Sequence, residues 1–263
     1  MSALAVRTVE KPWGRDQLPA PFVAPYGKRI GEIWFEPVEE VYSLLVKYIF
    51  TSEKLSVQVH PDDAQAKDLG EYDTGKEECW LVIDADPGAV LGIGTARPLS
   101  SDQLRAASLD GSIAALMDWK PVARGDFFYI PAGTVHAIGA GVSLIEVQQH
   151  ADITYRLYDY GRPRELHLDD GIAVADARPY ADARACRIDF AEDRMLVDGP
   201  IFRVMLGGDQ CDLAGSGSTL ILPLSGRAFA GGTSGGPGDC LAVDAGTPWH
   251  AEPAARLLIA RMV

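Results

Sequence analysis

The 263 residues are 47% hydrophobic, with 27 glycines, 17 prolines and a formal net charge of -13, enough chain for one large all-β unit or two smaller ones. No run of about 18 apolar residues is present, which argues against a transmembrane helix, and so acidic a chain repels nucleic acid and anionic membrane alike. The opening MSALAVRTVEKPWG lacks a basic segment followed by an apolar one, so no signal peptide is expected and the expected compartment is the cytoplasm.

Most of the chain predicts short strands separated by turns. Leu44–Phe50 (LLVKYIF), Leu55–His60 (LSVQVH) and Cys79–Ile83 (CWLVI) are rich in β-branched and aromatic residues. Phe127–Pro131 (FFYIP) and Val142–Gln149 (VSLIEVQQ) follow the same pattern, with breakers such as Asp86-Pro87-Gly88 and Gly139-Ala140-Gly141 between them. Such spacing predicts a sandwich or closed barrel. Two stretches predict helix: DDAQAKDLGEY from Asp62, with Pro61 suited to the first turn, and Ser100–Trp119, as two short helices broken near Gly111. The turn Pro131–His136 leads into VSLIEV, and Asp244–His250 leads into RLLIARMV. This weak repeat predicts a second, degenerate barrel from about Ala185 onward, covering an edge of the first sheet. Gly231–Gly238 (GGTSGGPG) predicts a flexible loop within it.

Four cysteines, Cys79, Cys186, Cys211 and Cys240, form no C-x-x-C pair, so free thiols are expected and any metal must use His and carboxylate ligands. Gln58 and His60 are two apart in a strand and share a face. Lys76, Glu78 and Trp80 share another, and His136 follows a Pro-Ala-Gly turn at the lip of a strand. Each alone reads as an ordinary strand or turn residue. Together, one amide oxygen, two imidazoles and one carboxylate make a ligand set for Zn²⁺, although iron, manganese or cobalt would fit it too. Glu146 and Lys47 interrupt apolar strands, where a charge without a partner or ligand is out of place. Ser56 shares the Gln58 face. The acidic surface would repel a phosphorylated substrate at long range, so a site for one needs a local basic pocket. Lys47, Ser56, Lys76 and Arg162 are the residues placed to supply it.

KPWG (Lys11–Gly14), GEIWFE (Gly31–Glu36), LSVQVHPDD (Leu55–Asp63), GKEECW (Gly75–Trp80), GDFFYIPAGTVHAIG (Gly125–Gly139), TYRLYDYGR (Thr154–Arg162) and RELHLDDGI (Arg164–Ile172) occur in order. In this the chain resembles the type I mannose-6-phosphate isomerases, nearest the short bacterial form. The resemblance covers roughly Lys11 to Asp176, and the C-terminal third matches only loosely. It implies an all-β fold of two cupin-like (jelly-roll) barrels with a small helical segment. Residues 1–180 would form the metal-binding catalytic domain, with its helical region near 100–119, and residues 185–263 the degenerate second barrel. It implies one Zn²⁺ held by Gln58, His60, Glu78 and His136, with Gln58 the least secure ligand, and no metal in the second barrel.

The implied activity is interconversion of mannose 6-phosphate and fructose 6-phosphate through a cis-enediol(ate). Glu146 is then the base candidate, and Arg156 stabilises the enediolate or holds the phosphate, since a guanidinium stays protonated. Lys76 aids ring opening or binds a substrate oxygen, and Lys47, Ser56 and Arg162 bind substrate and phosphate. The partner is a small sugar phosphate, with no nucleic acid or membrane, and the oligomeric state is open. Two other readings stay open on the residues: a different metal cupin enzyme such as an iron dioxygenase, and a non-catalytic metal-dependent sugar-phosphate-binding module.

Overall fold

The structure is a computed structural model and describes residues 1–70, 72–209, 211–215 and 217–263. Strands dominate. A seven-stranded antiparallel sheet runs in the order Cys186–Arg187, Asp126–Ile130, Glu78–Ala85, Val142–Gln149, Leu44–Phe50, Ile30–Glu36 and Ala5–Arg15. A five-stranded sheet, ordered Tyr155–Tyr158, Val57–Val59, His136–Ile138, Val90–Thr95 and Met117–Pro121, closes the first barrel.

The sequence explains which way each strand faces. Val142–Gln149 is buried along its whole length, as befits a strand covered on both sides. Ile145 and Val147 point out of the barrel into a core shared with the C-terminal half, while Leu144 joins the core inside the barrel. The same alternation sends Val46, Tyr48 and Phe50 outward, and Cys79 and Leu81 with them, leaving Trp80 and Val82 inside. The barrel interior is therefore apolar at one end, filled by Trp80, Val82, Leu91, Ile93 and Leu144. Its other end is where Lys47, Glu146 and Gln148 project.

Helices cover the outer face of the five-stranded sheet. Val57, Val59, Tyr155 and Leu157 pack there against Leu104, Ala107, Ile113 and Val174. The first helix, Asp63–Leu69, starts two residues after the proline expected in its first turn, because Asp62 is the N-cap of a capping box with Gln65 and ends the extended segment. Gly70 stops it at φ 72 in the left-handed region; Glu71, the next residue of the expected helix, lies outside the described residues. The 100–119 stretch divides at Gly111 (φ 81) into Ser101–Asp110 and Ile113–Leu116, but from Met117 it extends into a strand. The helix Leu168–Val174 went unforeseen, since its LDDGIAV is too short and too glycine-broken to show a period.

The C-terminal part builds a six-stranded sheet and a three-stranded one around a second apolar interior that includes Leu213, Ile221, Leu241, Leu257 and Ile259. The repeat is real in form: each Gly-Thr turn feeds a short strand, His136–Ile138 or Trp249–Ala251, and then a long one. Two expectations need correction. The 231–238 stretch is not all loop, because Thr233–Gly235 pairs with Ala228–Ala230. The second barrel covers a face, not an edge: Phe202, Val204, Leu220 and Leu258 pack on the outward side chains of the seven-stranded sheet, with the Phe202 and Tyr129 rings 5.7 Å apart. Two short strands reach across this junction, Ser2–Ala3 into the six-stranded sheet and Cys186–Arg187 into the seven-stranded one. Among the described residues no helix is long and apolar enough to cross a membrane, and all four cysteines are free thiols.

Candidate metal centre and catalytic cleft

Strand alternation and one short helix assemble the centre. Val57 and Val59 face out beneath the helices, so Ser56, Gln58 and His60 face in. After His60 the chain makes the Asp63–Leu69 helix and returns, tied back at its start. The Lys76 N–H donates to Pro61 O (3.0 Å) and the Gly75 N–H to Asp63 Oδ1 (2.8 Å). This return delivers Lys76 and Glu78 beside His60. His136, opposite Gln58 in register, completes the group.

His60, Glu78 and His136 are all buried, with ligand atoms within 4.8 Å of one another. His60 Nε2 lies 3.6 Å from Glu78 Oε2, and His136 Nε2 lies 3.4 Å from Glu78 Oε1. Each ring donates Nδ1–H to a backbone carbonyl, His60 to Ile153 O (2.7 Å) and His136 to Thr134 O (2.9 Å). Those bonds fix the tautomer that leaves both Nε2 lone pairs pointing inward. Burial, reinforced by Lys76, pushes His60 well below its ordinary pKa, and burial lowers His136 against the pull of Glu78. Both are thus neutral, as ligands must be.

The Glu78 oxygens accept no aligned hydrogen bond. The cation in contact with them is Lys76, whose Nζ is 2.7 Å from Glu78 Oε2 and 3.0 Å from His60 Nε2. Two inward imidazole lone pairs and an under-satisfied buried carboxylate fit a divalent cation with N/O preference. Loading one requires Lys76 Nζ to draw back toward the cleft it lines. Gln58 stands apart from this trio. Its amide nitrogen, not its oxygen, faces His136 Nε2 at 3.2 Å, and its oxygen accepts from Ser56 Oγ at 3.3 Å. To serve as a ligand it must turn its amide over.

Beside the trio opens a cleft of about 430 Å³, lined by Lys47, Ser56, Gln58, Lys76, Glu146 and Arg156 among others. Glu146 lies between Lys47 and Trp80 in register on adjacent strands, so all three point the same way. Lys47 Nζ is 2.7 Å from Glu146 Oε1, and the Trp80 indole N–H donates to Oε2 at 3.0 Å. Burial alone would raise the Glu146 carboxyl, but Lys47, Lys76 and the indole hold it below the usual carboxylate value. Burial would likewise lower Lys47, yet Glu146 and Glu32 keep it above its ordinary value. The result is an ionised carboxylate clamped between a cation and a neutral donor.

Arg156 lines the cleft, with Nη1 donating to Glu165 O (2.7 Å). Arg162 is not among the lining residues. It donates to Lys54 O, sits 3.5 Å from Asp159 and lies over the Tyr160 ring. Arg164, two residues on, lines the cleft instead and forks onto Asp159 at 2.6 and 2.7 Å. Sequence reasoning also missed Glu32, buried in the cleft wall, where it accepts from the Trp34 indole (2.7 Å) and faces Lys11 (3.6 Å). The signal was present, for Glu32 interrupts the apolar run GEIWFE as Glu146 interrupts its own.

No family model matches the chain. It is 40% identical to a mannose-6-phosphate isomerase of Streptococcus mutans over 181 residues, 66% of this chain and 57% of that protein. The chain spans between 51% and 57% of the length of the four curated relatives it matches. In three dimensions it resembles the mannose 6-phosphate isomerase of Bacillus subtilis, with TM-score 0.81, 25% identity and 98% of each chain covered. It has the fold of a zinc-bound mannose 6-phosphate isomerase at TM-score 0.72 and 12% identity, covering 99% of this chain and 98% of that one.

Proposed function

We propose, from the chain's membership of the type I mannose-6-phosphate isomerase family, that it is a metal-dependent aldose–ketose isomerase interconverting mannose 6-phosphate and fructose 6-phosphate. The observation that carries this reading is the convergence of His60, Glu78 and His136 at a cleft whose walls hold Lys47, Lys76 and Arg156. Those cations answer the requirement set by an acidic surface: a phosphorylated sugar meets local positive charge inside a chain of net charge -13.

The reaction moves a proton between C1 and C2 of the open-chain sugar. His60, Glu78 and His136 would hold Zn²⁺, one per chain, with Gln58 as a fourth ligand once its amide is turned. Bound there, the ion supplies Lewis acidity toward the substrate oxygens. Glu146 is the assigned base. It is ionised, and its oxygens are pinned by Lys47 and Trp80, so it is oriented before substrate arrives. Arg156, always charged, stabilises the negative charge that develops on oxygen as the enediolate forms. Lys76 binds a sugar oxygen or aids ring opening when drawn away from Glu78, and Ser56 and Lys47 take the phosphate end. Arg162 is given no role, because its guanidinium is engaged outside the cleft.

We assign residues 1–180 to the catalytic unit and 185–263 to the degenerate second barrel, which buttresses the catalytic sheet. The compartment assigned is the cytoplasm. The deciding test is turnover. Purified protein should convert mannose 6-phosphate to fructose 6-phosphate, lose this with a chelator and regain it with Zn²⁺. A zinc-loaded protein inert toward mannose 6-phosphate refutes the substrate assignment.

A further inference from the structure

Arg156 sits on Tyr155–Tyr158, the edge strand of the five-stranded sheet. One side of this strand pairs with Val57–Val59; among the described residues no strand lies on the other. At Arg156 that open side is closed by a single residue. The His167 N–H donates to Arg156 O (2.8 Å), and the Arg156 N–H donates to His167 Nδ1 (3.1 Å). Two residues earlier, Glu165 O accepts from Arg156 Nη1 (2.7 Å). The segment 165–167 therefore holds Arg156 at its N–H, its carbonyl and its guanidinium. The His167 ring also packs edge-on to Tyr155, centroids 6.3 Å apart. Gly171, one helical turn on, packs closely on the same strand, where a Cβ would meet Leu157 Cδ2 at 2.8 Å and Tyr155 Cβ at 3.1 Å.

We propose that His167 is a positioning residue for Arg156, acting through its Nδ1 lone pair. A peptide N–H cannot give up its proton, so Nδ1 must be the acceptor. The ring is then neutral, with its proton on Nε2. His167 thus acts as part of the backbone, standing in for the strand that is missing at this edge. A buried or half-buried N–H left without a partner is costly, so without the imidazole the strand shifts to find another acceptor. The guanidinium moves with it, and displacements of about 1 Å at a positioning group lower turnover by roughly 10²-fold.

The inference rests on the isomerase reading, and three variants separate the two. Asn at 167 places a carbonyl oxygen near the Nδ1 position, whereas Gln places its amide near Nε2. His167→Ala and His167→Gln should lower kcat about 10- to 100-fold with KM for mannose 6-phosphate and bound zinc little changed. His167→Asn should recover to within about 3-fold of the parent, a margin under 1 kcal/mol. Hydrogen exchange supplies a readout independent of turnover: the Arg156 amide should be protected in the parent and His167→Asn, and exchange faster in His167→Ala. An active His167→Gln beside an inactive His167→Asn would make Nε2 the working atom and overturn the proposal. So would full kcat in His167→Ala, or an Arg156 amide equally protected in all forms. Parent protein that turns over no sugar phosphate would instead sink the isomerase reading, leaving the exchange pattern to decide whether the clamp exists.

Discussion

Glu78 is wholly buried, with Lys76 as the cation against it. Removing one member of a buried pair leaves the other charged and desolvated, at about 3–5 kcal/mol. Glu78→Ala is therefore expected to lose its zinc and melt well below the parent even when both are metal-free, measured by elemental analysis and calorimetry. A variant that kept its zinc would show that Glu78 is not a ligand. The two histidines carry a pH dependence. Both are held below their ordinary value of 6.5 in the fold, so as pH falls through about 6.5 the unfolded chain takes up protons that the folded chain refuses. Metal-free protein should accordingly lose stability as pH falls below about 7.5 and go on losing it until the lowered folded-state values are passed, and His136→Asn should flatten part of that slope. Equal slopes would mean that His136 titrates alike in both states. At this scale much was legible. His60, Glu78 and His136, each ordinary by itself, were drawn together by the ordered motifs of the family resemblance, and the structure groups them; Lys47 and Glu146 stood out as charges interrupting apolar strands. Arg162 was not, because a turn cation can swing either way and only its partners Lys54 and Asp159 decide. The carbonyls of Ile153 and Thr134 that set the ligand tautomers were beyond reach, since no sequence pattern marks a backbone acceptor.

Between His60 and Lys76 the chain travels out through a helix and back, and the site depends on where it lands. The return runs over the helix start so closely that a Cβ on Gly75 would stand 2.4 Å from the Asp62 carbonyl carbon and 2.5 Å from Pro61 O. Both are backbone atoms that cannot rotate aside. Gly75→Ala must push Lys76 and Glu78 away from His60, so zinc affinity is expected to fall about 10- to 100-fold. Titration against a competing chelator measures this, and unchanged affinity would show the loop to be slack. Asp63 serves the same return through its carboxylate, accepting from Gly75 N–H and from Gln149 Nε2 at 2.9 Å. Elements of this kind divide by legibility. Leu44–Phe50 and Val142–Gln149 were visible at their full extent because β-branched runs bounded by breakers have few alternatives. The Leu168–Val174 helix was invisible because its fold comes from packing on Tyr155 and Leu157 rather than from its own seven residues.

Two barrels that share one core should behave as one cooperative unit, with the His60, Glu78 and His136 group in the first. The outward face of the seven-stranded sheet, including Val46, Tyr48, Ile145 and Val147, is covered by Phe202, Val204, Leu220 and Leu258. Without the C-terminal part that apolar face would meet water. Phe202, fully buried at the junction, is the direct probe: Phe202→Ala leaves a cavity against Tyr129 and should cost about 3–5 kcal/mol. If the barrels unfold together, that remote truncation must lower the midpoint of the whole protein, including the transition reported by the metal site. Zinc binds the folded form alone, so at 100 times its Kd it adds about 2.7 kcal/mol, roughly 5–10 °C in a chain of this size. Cooperativity then requires zinc to raise one single transition by that amount in both parent and Phe202→Ala, as calorimetry would read. Two transitions, of which zinc moves one and Phe202→Ala the other, would show that the second barrel folds by itself and that the shared apolar face does not couple it to the site.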